Sequence, residues 1–390
     1  MSGPTTHYLN SDFDLSLRPR ARQHRNPRLV RQVRELTAQA LLGAEEGDRA
    51  LLRVELPPEF VEHLAVCGLP LPRLLRHPEV DPATSFRPFG WSAEAIELNG
   101  LHQRPAPHPR LPCVRRVNSR SFARELEAKL TGETQGHVIE SPGELETVLS
   151  REPGTTEWVI KAEHGNAGLA NRRVKGPRPG PAALRFVEER LAEDDRLVVE
   201  PWRRRERDWC LVFDVPYDET GLRVHEQLCT ADGALIGSLF EPAGDGPQPW
   251  AEELAGMAWG VAKGLREAGY FGPVCVDAFS WRDGERTRLR SLVDLNCRRP
   301  VSDGAWRLWR CVAPDRALYY RFFNRTKLTL PGGMAETLAA LGSRRYDPSA
   351  RRGILLASPL GFHKLAVVFV ADDRARILEL ERWFRDRFEG

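Results

Sequence analysis

The chain has 390 residues, 41% hydrophobic and 28% charged, which is typical of a globular protein with two or three domains' worth of polypeptide. Its formal net charge of +3 and its dispersed basic residues argue against nucleic acid or an anionic membrane as a partner. The seven cysteines never occur as C-x-x-C, which argues for reduced thiols and against a disulfide framework or zinc site. The polar first residues and the lack of a long apolar run predict a cytoplasmic protein.

The first hundred residues combine helical and strand patterns. Apolar residues recur at helical spacing over 26–42, a short strand pattern follows over 50–56, and a Pro-Pro pair opens a second helix that runs through Val66. A stretch rich in Pro, Arg and His over 101–112 is typical of a linker. We therefore predict a small α/β domain over residues 1–110.

Helices and strands continue to alternate through the rest of the chain, which predicts an α+β or α/β fold rather than a helical bundle. The predicted helices cover 119–130, the segment from Ser141, 182–191, 250–268 and 373–387. The predicted strands cover 157–161, 171–174, 196–200, 353–359 and 364–371, with an antiparallel meander over 208–215, 222–230 and 234–241.

Two further strand patterns, 272–279 and 292–298, are joined across Asp283-Gly284 and carry polar side chains in apolar surroundings. A hairpin here places Asp277 opposite Asp294, with Asn296 on the same face. Opposed carboxylates repel unless a cation lies between them, and oxygen donors suit Mg²⁺. The trio is therefore a candidate metal site. A solvated strand end, or a register slipped by one residue, is the alternative interpretation.

A second pattern is the strand 158–161, which leads Lys161 into a loop of small residues. The backbone N–H groups around Gly165, Asn166 and Gly168, with the nearby ammonium, could hold phosphate oxygens. The spacing fits neither a P-loop nor a dinucleotide-binding fingerprint. A glycine hairpin beside a surface lysine is the alternative.

A third pattern is the strand 197–200, which stops at Pro201-Trp202 and is followed by Glu206 and Asp208. A strand stopped by proline leaves backbone groups for adenine recognition, and the two acidic residues could accept hydrogen bonds from ribose hydroxyls. A solvated charged turn explains the same residues equally well.

In this order the three patterns resemble the ATP-grasp ligases, over roughly 114–323. The resemblance implies two α+β subdomains that hold ATP between them, after the small N-terminal α/β domain. It implies phosphate contacts from Lys161, the Gly165–Gly168 loop and Arg120, and Mg²⁺, or Mn²⁺ in its place, on Asp277, Asp294 and Asn296. It implies adenosine contacts from Glu200, Pro201, Trp202, Glu206 and Asp208, and a catalytic role for Arg298 beside Lys161.

The sequence departs from the family pattern at several positions. Asp294 stands where the family has Glu, Arg120 stands where it usually has Lys, and Lys161 is followed by Ala instead of Pro. Each change alters reach or geometry around the phosphates or the metal. No glycine follows Asn296 at the customary place.

The resemblance implies ATP-dependent joining of a small-molecule carboxylate to an amine through an acylphosphate. A phosphotransferase acting on a hydroxyl, or an ATP-binding module without turnover, are the alternatives. We divide the chain into 1–110, a first subdomain 111–200, a second subdomain 201–330 and a C-terminal extension 331–390. The sequence leaves the oligomeric state open, a homodimer included.

Overall fold

The computed structural model describes residues 3–18, 27–151, 155–165, 171–194, 196–242 and 250–390. Within these residues the strands form three sheets, of four, four and eight strands. The mixed α+β class expected from the sequence is confirmed. No helix in the described segments is long and apolar enough to cross a membrane.

The N-terminal sheet is parallel, with strand order β3-β2-β1-β4. Its elements are β1 (Thr5–Tyr8), α1 (Phe13–Ser16), α2 (Pro27–Leu36), β2 (Arg49–Leu52), α3 (Pro58–Val66), β3 (Arg73–Arg76), β4 (Ser85–Pro88) and α4 (Ala93–Asn99). The sequence patterns predict β2, α2 and α3. They miss β1, β3 and β4, because each of these strands has at most two apolar residues and therefore gives no apolar run.

The second sheet is antiparallel, with strand order β5-β8-β6-β7. This part of the chain contains α5 (Leu111–Val117), α6 (Arg120–Thr131), β5 (His137–Ile139), α7 (Pro142–Arg151), β6 (Glu157–Ala162), β7 (Asn171–Lys175), α8 (Pro181–Asp194) and β8 (Leu197–Pro201). Ser119 caps α6 by accepting a hydrogen bond from the Phe122 amide. Except for β5 and α5, these elements are predicted by the sequence.

The third sheet is antiparallel, with strand order β13-β12-β9-β10-β11-β14-β16-β15. The elements here are β9 (Arg205–Val215), β10 (Arg223–Cys229), β11 (Leu235–Phe240), α9 (Ala251–Glu267), β12 (Gly272–Asp283), β13 (Arg286–Asn296), α10 (Asp303–Val312), β14 (Ala317–Asn324), α11 (Met334–Leu341), β15 (Gly353–Leu356), β16 (Lys364–Ala371) and α12 (Arg374–Phe388). The predicted meander is confirmed as β9-β10-β11. The C-terminal strands extend this same sheet through β14.

The β12–β13 hairpin confirms the predicted register, since Asp277 pairs with Asp294. The turn lies one residue later than predicted, because Asp283 still pairs with Arg286 and Gly284 adopts the left-handed conformation at φ 61°. A register shift between Asp277 and Phe279 then leaves extra residues on β13. The irregularity therefore decides which β13 residue faces Asp277.

The three largest hydrophobic cores of the described residues hold these layers together. One packs the N-terminal domain, including Leu64, against the C-terminal strands, including Ile354. Another packs the N-terminal sheet, including Phe86, against α9 and the start of the large sheet. The small sheet has a core of its own around Trp158 and Val199. The N-terminal domain is therefore part of the main body, and the small sheet packs largely on itself.

Candidate active site

A cleft of about 490 Å³ opens between the small sheet and the large sheet. Lys161 reaches it from β6 and Arg120 from the start of α6, while Asp277 and Asp294 reach it from the hairpin. The structure thus brings together residues that the sequence places in separate motifs. Asn296, Arg298, Trp202, Asp208 and Gly165 also line the cleft.

Asp277 has neutral hydrogen-bond partners. Its Oδ1 accepts from Gln227 Nε2 at 3.1 Å, and its Oδ2 accepts from Asn296 Nδ2 at 3.3 Å. Burial, with the neighbouring Cys210 and Asp294, raises the pKa of Asp277 to about 8. Within the described residues no cation forms an ion pair with this carboxylate, although the charge of Arg298 partly offsets its own.

Asp294, directly opposite, has two cationic partners. Arg120 Nε lies 3.2 Å and Lys161 Nζ 3.4 Å from its Oδ1. Burial alone would raise the pKa of Asp294, but Lys161 and then Arg120 hold it well below its usual range. Two carboxylates in one cross-strand pair therefore sit in opposite electrostatic surroundings.

The oxygen atoms of the trio suit a hard cation. Asp277, Asp294 and Asn296 lie on the cleft side of the hairpin, and oxygen donors of this kind are those that Mg²⁺ prefers. A cation between Asp277 and Asp294 would also offset the repulsion that, together with burial, raises the pKa of Asp277. The residues present therefore fit a divalent metal ion.

Lys161 is almost fully buried, with 4% of its side chain exposed, and its Nζ lies 2.9 Å from a Glu200 carboxylate oxygen. Glu200 also pairs with Arg124 at 3.3 Å and with Arg290 at 3.1 Å. Its carboxylate is thus used within a buried ion-pair network and does not line the cleft. The Glu200 side chain therefore positions Lys161, and the adenosine contact expected of Glu200, which rests on backbone groups, stays a prediction.

Arg120 is anchored to the segment after β6. Its backbone amide donates to Glu163 O at 3.1 Å, and its guanidinium donates to the Ala162 carbonyl. A Cβ at Gly165 would lie 2.9 Å from Arg120 Nη1, so a side chain there would displace the guanidinium. Asn166 and Gly168, which are predicted to contact phosphate, lie outside the described residues.

Of the residues predicted to hold adenosine, Trp202 and Asp208 line the cleft. The Arg173 guanidinium lies 4.6 Å from a Trp202 ring centroid, and Arg205 Nη1 lies 2.6 Å from Asp208 Oδ1. Arg205 therefore competes for the Asp208 oxygens that could accept from a ribose hydroxyl.

Pro201 and Glu206 do not line the cleft. Pro201 is buried at the end of β8, paired with Trp158 in the sheet. Glu206 lines a neighbouring depression and pairs with Arg282 at 3.2 Å. That depression shares Trp202 and Asp208 with the cleft, so the adenosine contacts expected of Pro201 and Glu206 stay predictions.

Arg298 is held by the N-terminal domain. Its Nε donates to Asp14 at 2.9 Å and 3.1 Å, its Nη2 donates to Asn296 Oδ1 at 3.0 Å, and its guanidinium lies 4.6 Å from the Phe89 ring centroid. These contacts fix the orientation of the Arg298 side chain. The remaining face of Arg298 borders the cleft.

Solved structures resemble the whole chain. They include N5-carboxyaminoimidazole ribonucleotide synthetase from Thermus thermophilus (15% identity, 98% of both chains, TM-score 0.54) and biotin carboxylase from Campylobacter jejuni (11%, 98% of this chain and 91% of that one, 0.54). The biotin carboxylase domain of Hydrogenobacter thermophilus 2-oxoglutarate carboxylase, solved with MgADP and bicarbonate, aligns with all of this chain and 91% of its own (10%, 0.55). The chain has the ATP-grasp fold.

Comparison of the sequence alone finds no match. No protein-family model matches the chain, and no curated protein matches it in sequence. The likeness to the solved ATP-grasp structures is therefore a likeness of fold.

Around the ATP-grasp cleft, several residues that position the site escape sequence reasoning. They are Asp14, Glu163, Gln227, Arg124 and Arg290. Gln227 lies in the predicted meander, and nothing in the sequence around it distinguishes it from any other polar residue of a strand. The contact between Asp14 and Arg298 joins residues 284 positions apart, so no local pattern could reveal it.

Proposed function

We propose that this chain is an ATP- and Mg²⁺-dependent ligase that joins a carboxylate to an amine or similar nucleophile through an acylphosphate. One observation carries the proposal: Lys161 and Arg120 converge on Asp294, directly opposite Asp277, which has no ion-pair partner among the described residues, in the cleft between two sheets. Cationic side chains that could bind phosphates and oxygen atoms that could bind a metal ion thus lie on the same wall of the cleft.

Asp277, Asp294 and the Asn296 amide oxygen would hold Mg²⁺. When bound, the ion supplies positive charge beside the phosphates and orients them. Asp294 would then belong to the metal, so Lys161 and Arg120 could turn to phosphate oxygens. Glu200 keeps Lys161 in place during this exchange, because its bond to Nζ does not depend on Asp294.

In the first step a carboxylate oxygen of the substrate attacks the γ-phosphorus of ATP. The bond from that phosphorus to the bridging β–γ oxygen breaks, and ADP leaves. In the second step the amine nitrogen attacks the acyl carbon, the bond from that carbon to the phosphate-bearing oxygen breaks, and phosphate leaves as the nitrogen loses a proton.

The protein's part in both steps is positioning and charge neutralisation. Arg298, fixed by Asp14 and by the Phe89 ring, would orient the substrate carboxylate. Trp202 and Asp208 would lie beside adenosine on the other side of the cleft.

The test is to incubate the protein with ATP, Mg²⁺ and pooled carboxylates, with hydroxylamine as the nucleophile. An acylphosphate is captured as a hydroxamate, and ADP is measured in the same sample. Hydroxamate formed with ADP supports the ligase. A stable phosphate ester without hydroxamate would identify a phosphotransferase, and ATP binding without ADP would identify a binding module.

Lys161→Ala is the matched variant, with Lys263→Ala on the exposed face of α9 as its control. Loss of a charge-assisted bond to phosphate should weaken ATP binding about ten- to a hundredfold. The control should bind ATP as the unaltered protein does. Equal ATP affinity in a folded Lys161→Ala variant would remove Lys161 from the nucleotide site.

A further inference from the structure

Four arginines converge on one carboxylate where the N-terminal domain meets the large sheet. Arg87 comes from β4, Arg223 from β10, Arg299 from the segment after β13, and Arg307 from α10. The Asp303 oxygens lie 3.1 Å from Arg223 Nη2, 3.5 Å from Arg307 Nε and 3.6 Å from Arg87 Nη2. We call these four arginines the arginine cluster.

The arginine cluster carries more positive charge than its surroundings neutralise. Within the described residues the Arg299 guanidinium has no hydrogen bond and no ion pair, and burial with the charges of Arg87 and Arg307 lowers the pKa of Arg299 to about 10. The Nε atoms of Arg87, Arg299 and Arg307 are buried and donate no hydrogen bond to the part of the chain that the structure describes. Asp48, another nearby acid, is already bound to His7 Nε2 at 2.8 Å.

Like charges gathered in partly buried surroundings destabilise a fold unless an anion offsets them. Asp303 offsets one charge, and Asp214 attracts Arg299 from beyond ion-pair distance. Donors remain for an anion that carries more than one negative charge. Solvent can deliver it, since 34% of the Arg87 side chain is exposed.

The arginine cluster adjoins the cleft. Arg299 directly follows Arg298, which borders the cleft, and Asp303 directly follows the cleft-lining Ser302. Ser302 Oγ lies 3.0 Å from His225 Nε2, which fixes this segment against β10. An elongated molecule could therefore place one end at Arg298 and the other end at the arginine cluster.

We propose that the arginine cluster binds a compact dianionic group of the ligase's substrate, a phosphate monoester or a pair of carboxylates. This inference rests on the proposed function, because it assigns a class to that substrate. The planar guanidinium matches both oxyanions with two parallel hydrogen bonds. Arg223 is pre-oriented for this task, with its guanidinium 4.1 Å from a Trp306 ring centroid.

The experiment titrates inorganic phosphate, succinate and acetate into the nucleotide-free protein by calorimetry. Phosphate and succinate should bind saturably and acetate much more weakly, because only the dianions offset two charges. Tighter binding of phosphate indicates a phosphate monoester, and tighter binding of succinate indicates a dicarboxylate. Absence of saturable binding of both dianions, or equal binding of acetate, overturns the proposal.

Substitutions inside and outside the arginine cluster determine where the anion binds. Arg307→Gln and the more exposed Arg87→Gln should each weaken dianion binding about tenfold or more. Arg310→Gln, an exposed position on the same helix α10, should bind as the unaltered protein does. Lys161→Ala should also bind the dianion normally, and loss of binding there would place the anion at the nucleotide site and overturn the proposal.

Melting of the ligand-free variants gives a second readout. Arg87→Gln should melt at the same temperature as the unaltered protein or higher, because it relieves repulsion and removes no side-chain hydrogen bond within the described residues, whereas a purely structural cluster would melt lower. Two outcomes distinguish a failure of this inference from a failure of the proposed ligase function. Hydroxamate formation that is indifferent to Arg87→Gln defeats this inference alone, and dianion binding without any ADP formation defeats the ligase alone.

Discussion

At the scale of single residues, Asp277 and Asp294 show that position in a sheet does not determine protonation. Both residues face the cleft from one cross-strand pair. Lys161 and Arg120 keep Asp294 ionised, whereas burial beside Cys210 and Asp294 favours the protonated form of Asp277. The repulsion expected from the sequence is therefore relieved at one residue, by a proton.

This asymmetry predicts opposite effects of two isosteric variants. Without metal near pH 8, Asp277→Asn should raise the melting temperature, because it removes a poorly compensated charge. Asp294→Asn should lower it, because Lys161 and Arg120 lose their shared partner. Both variants should lose metal-dependent turnover.

Differential scanning calorimetry in the presence of a chelator checks the signs. A higher melting temperature for Asp294→Asn would mean that simple repulsion between the carboxylates dominates, as the sequence alone suggests. It would also remove the electrostatic argument for the metal site.

The pKa of Asp277 also predicts a pH dependence. Because this pKa is 3.8 in an unstructured peptide and about 8 in the fold, the folded state binds the extra proton and metal-free stability falls as pH rises between these values. A metal must displace that proton, so Mg²⁺ affinity should rise by up to about tenfold per pH unit below pH 8.

Isothermal titration with Mg²⁺ near pH 6, 7 and 8, in buffers of different ionisation enthalpy, measures both the affinity and the proton released. Asp277→Asn should abolish the pH dependence. An affinity that does not change with pH would show that Asp277 does not bind the metal.

At the scale of elements, the large sheet depends on close contact between β11 and β14. A Cβ at Gly237 would lie 2.3 Å from the Tyr320 carbonyl oxygen and 2.5 Å from the Tyr319 ring. Gly237→Ala should therefore reduce the free energy of unfolding by about 1–3 kcal/mol, because the backbone of β14 must shift.

Gly256→Ala is the matched control. Gly256 lies inside α9, where a Cβ would meet nothing within 4 Å, so alanine should add about 0.5–1 kcal/mol of stability. Urea denaturation of both variants provides the comparison. Equal effects of the two substitutions would show that the contact between β11 and β14 is not close.

At the scale of the whole molecule, the cores predict which parts unfold together. Leu64 of α3 is fully buried in the core that also contains Ile354 and Val368 of the C-terminal strands. Leu64→Ala should cost about 2–5 kcal/mol. Hydrogen exchange should become faster in α3 and in β16 together, although the two elements lie near opposite ends of the sequence.

The strands β6 and β8 serve as the internal reference, because their core is separate. Their exchange should change much less than that of β16 in the Leu64→Ala variant. Equal acceleration in all three strands would mean that the small sheet and the main body unfold as one unit.

Local patterns in the sequence determined much of this fold. Short apolar runs between turn residues predict β6, β8 and the meander, and a capping serine marks the start of α6, because these features depend on neighbours within a few residues. The hairpin that brings Asp277 and Asp294 together is also visible in the chain itself, whereas their direct pairing depends on the register shift between Asp277 and Phe279. The candidate phosphate-binding and metal-binding residues are therefore visible in the sequence.

Tertiary structure alone decided how these residues are used. Glu200 pairs with Lys161, Arg124 and Arg290, and Arg298 pairs with Asp14, across sequence separations that no local pattern can bridge. The arginine cluster likewise draws side chains from β4, β10, α10 and the segment after β13. The physical reason is that ion-pair partners and pKa values depend on which faces of the sheets are packed together and how far water is excluded from them.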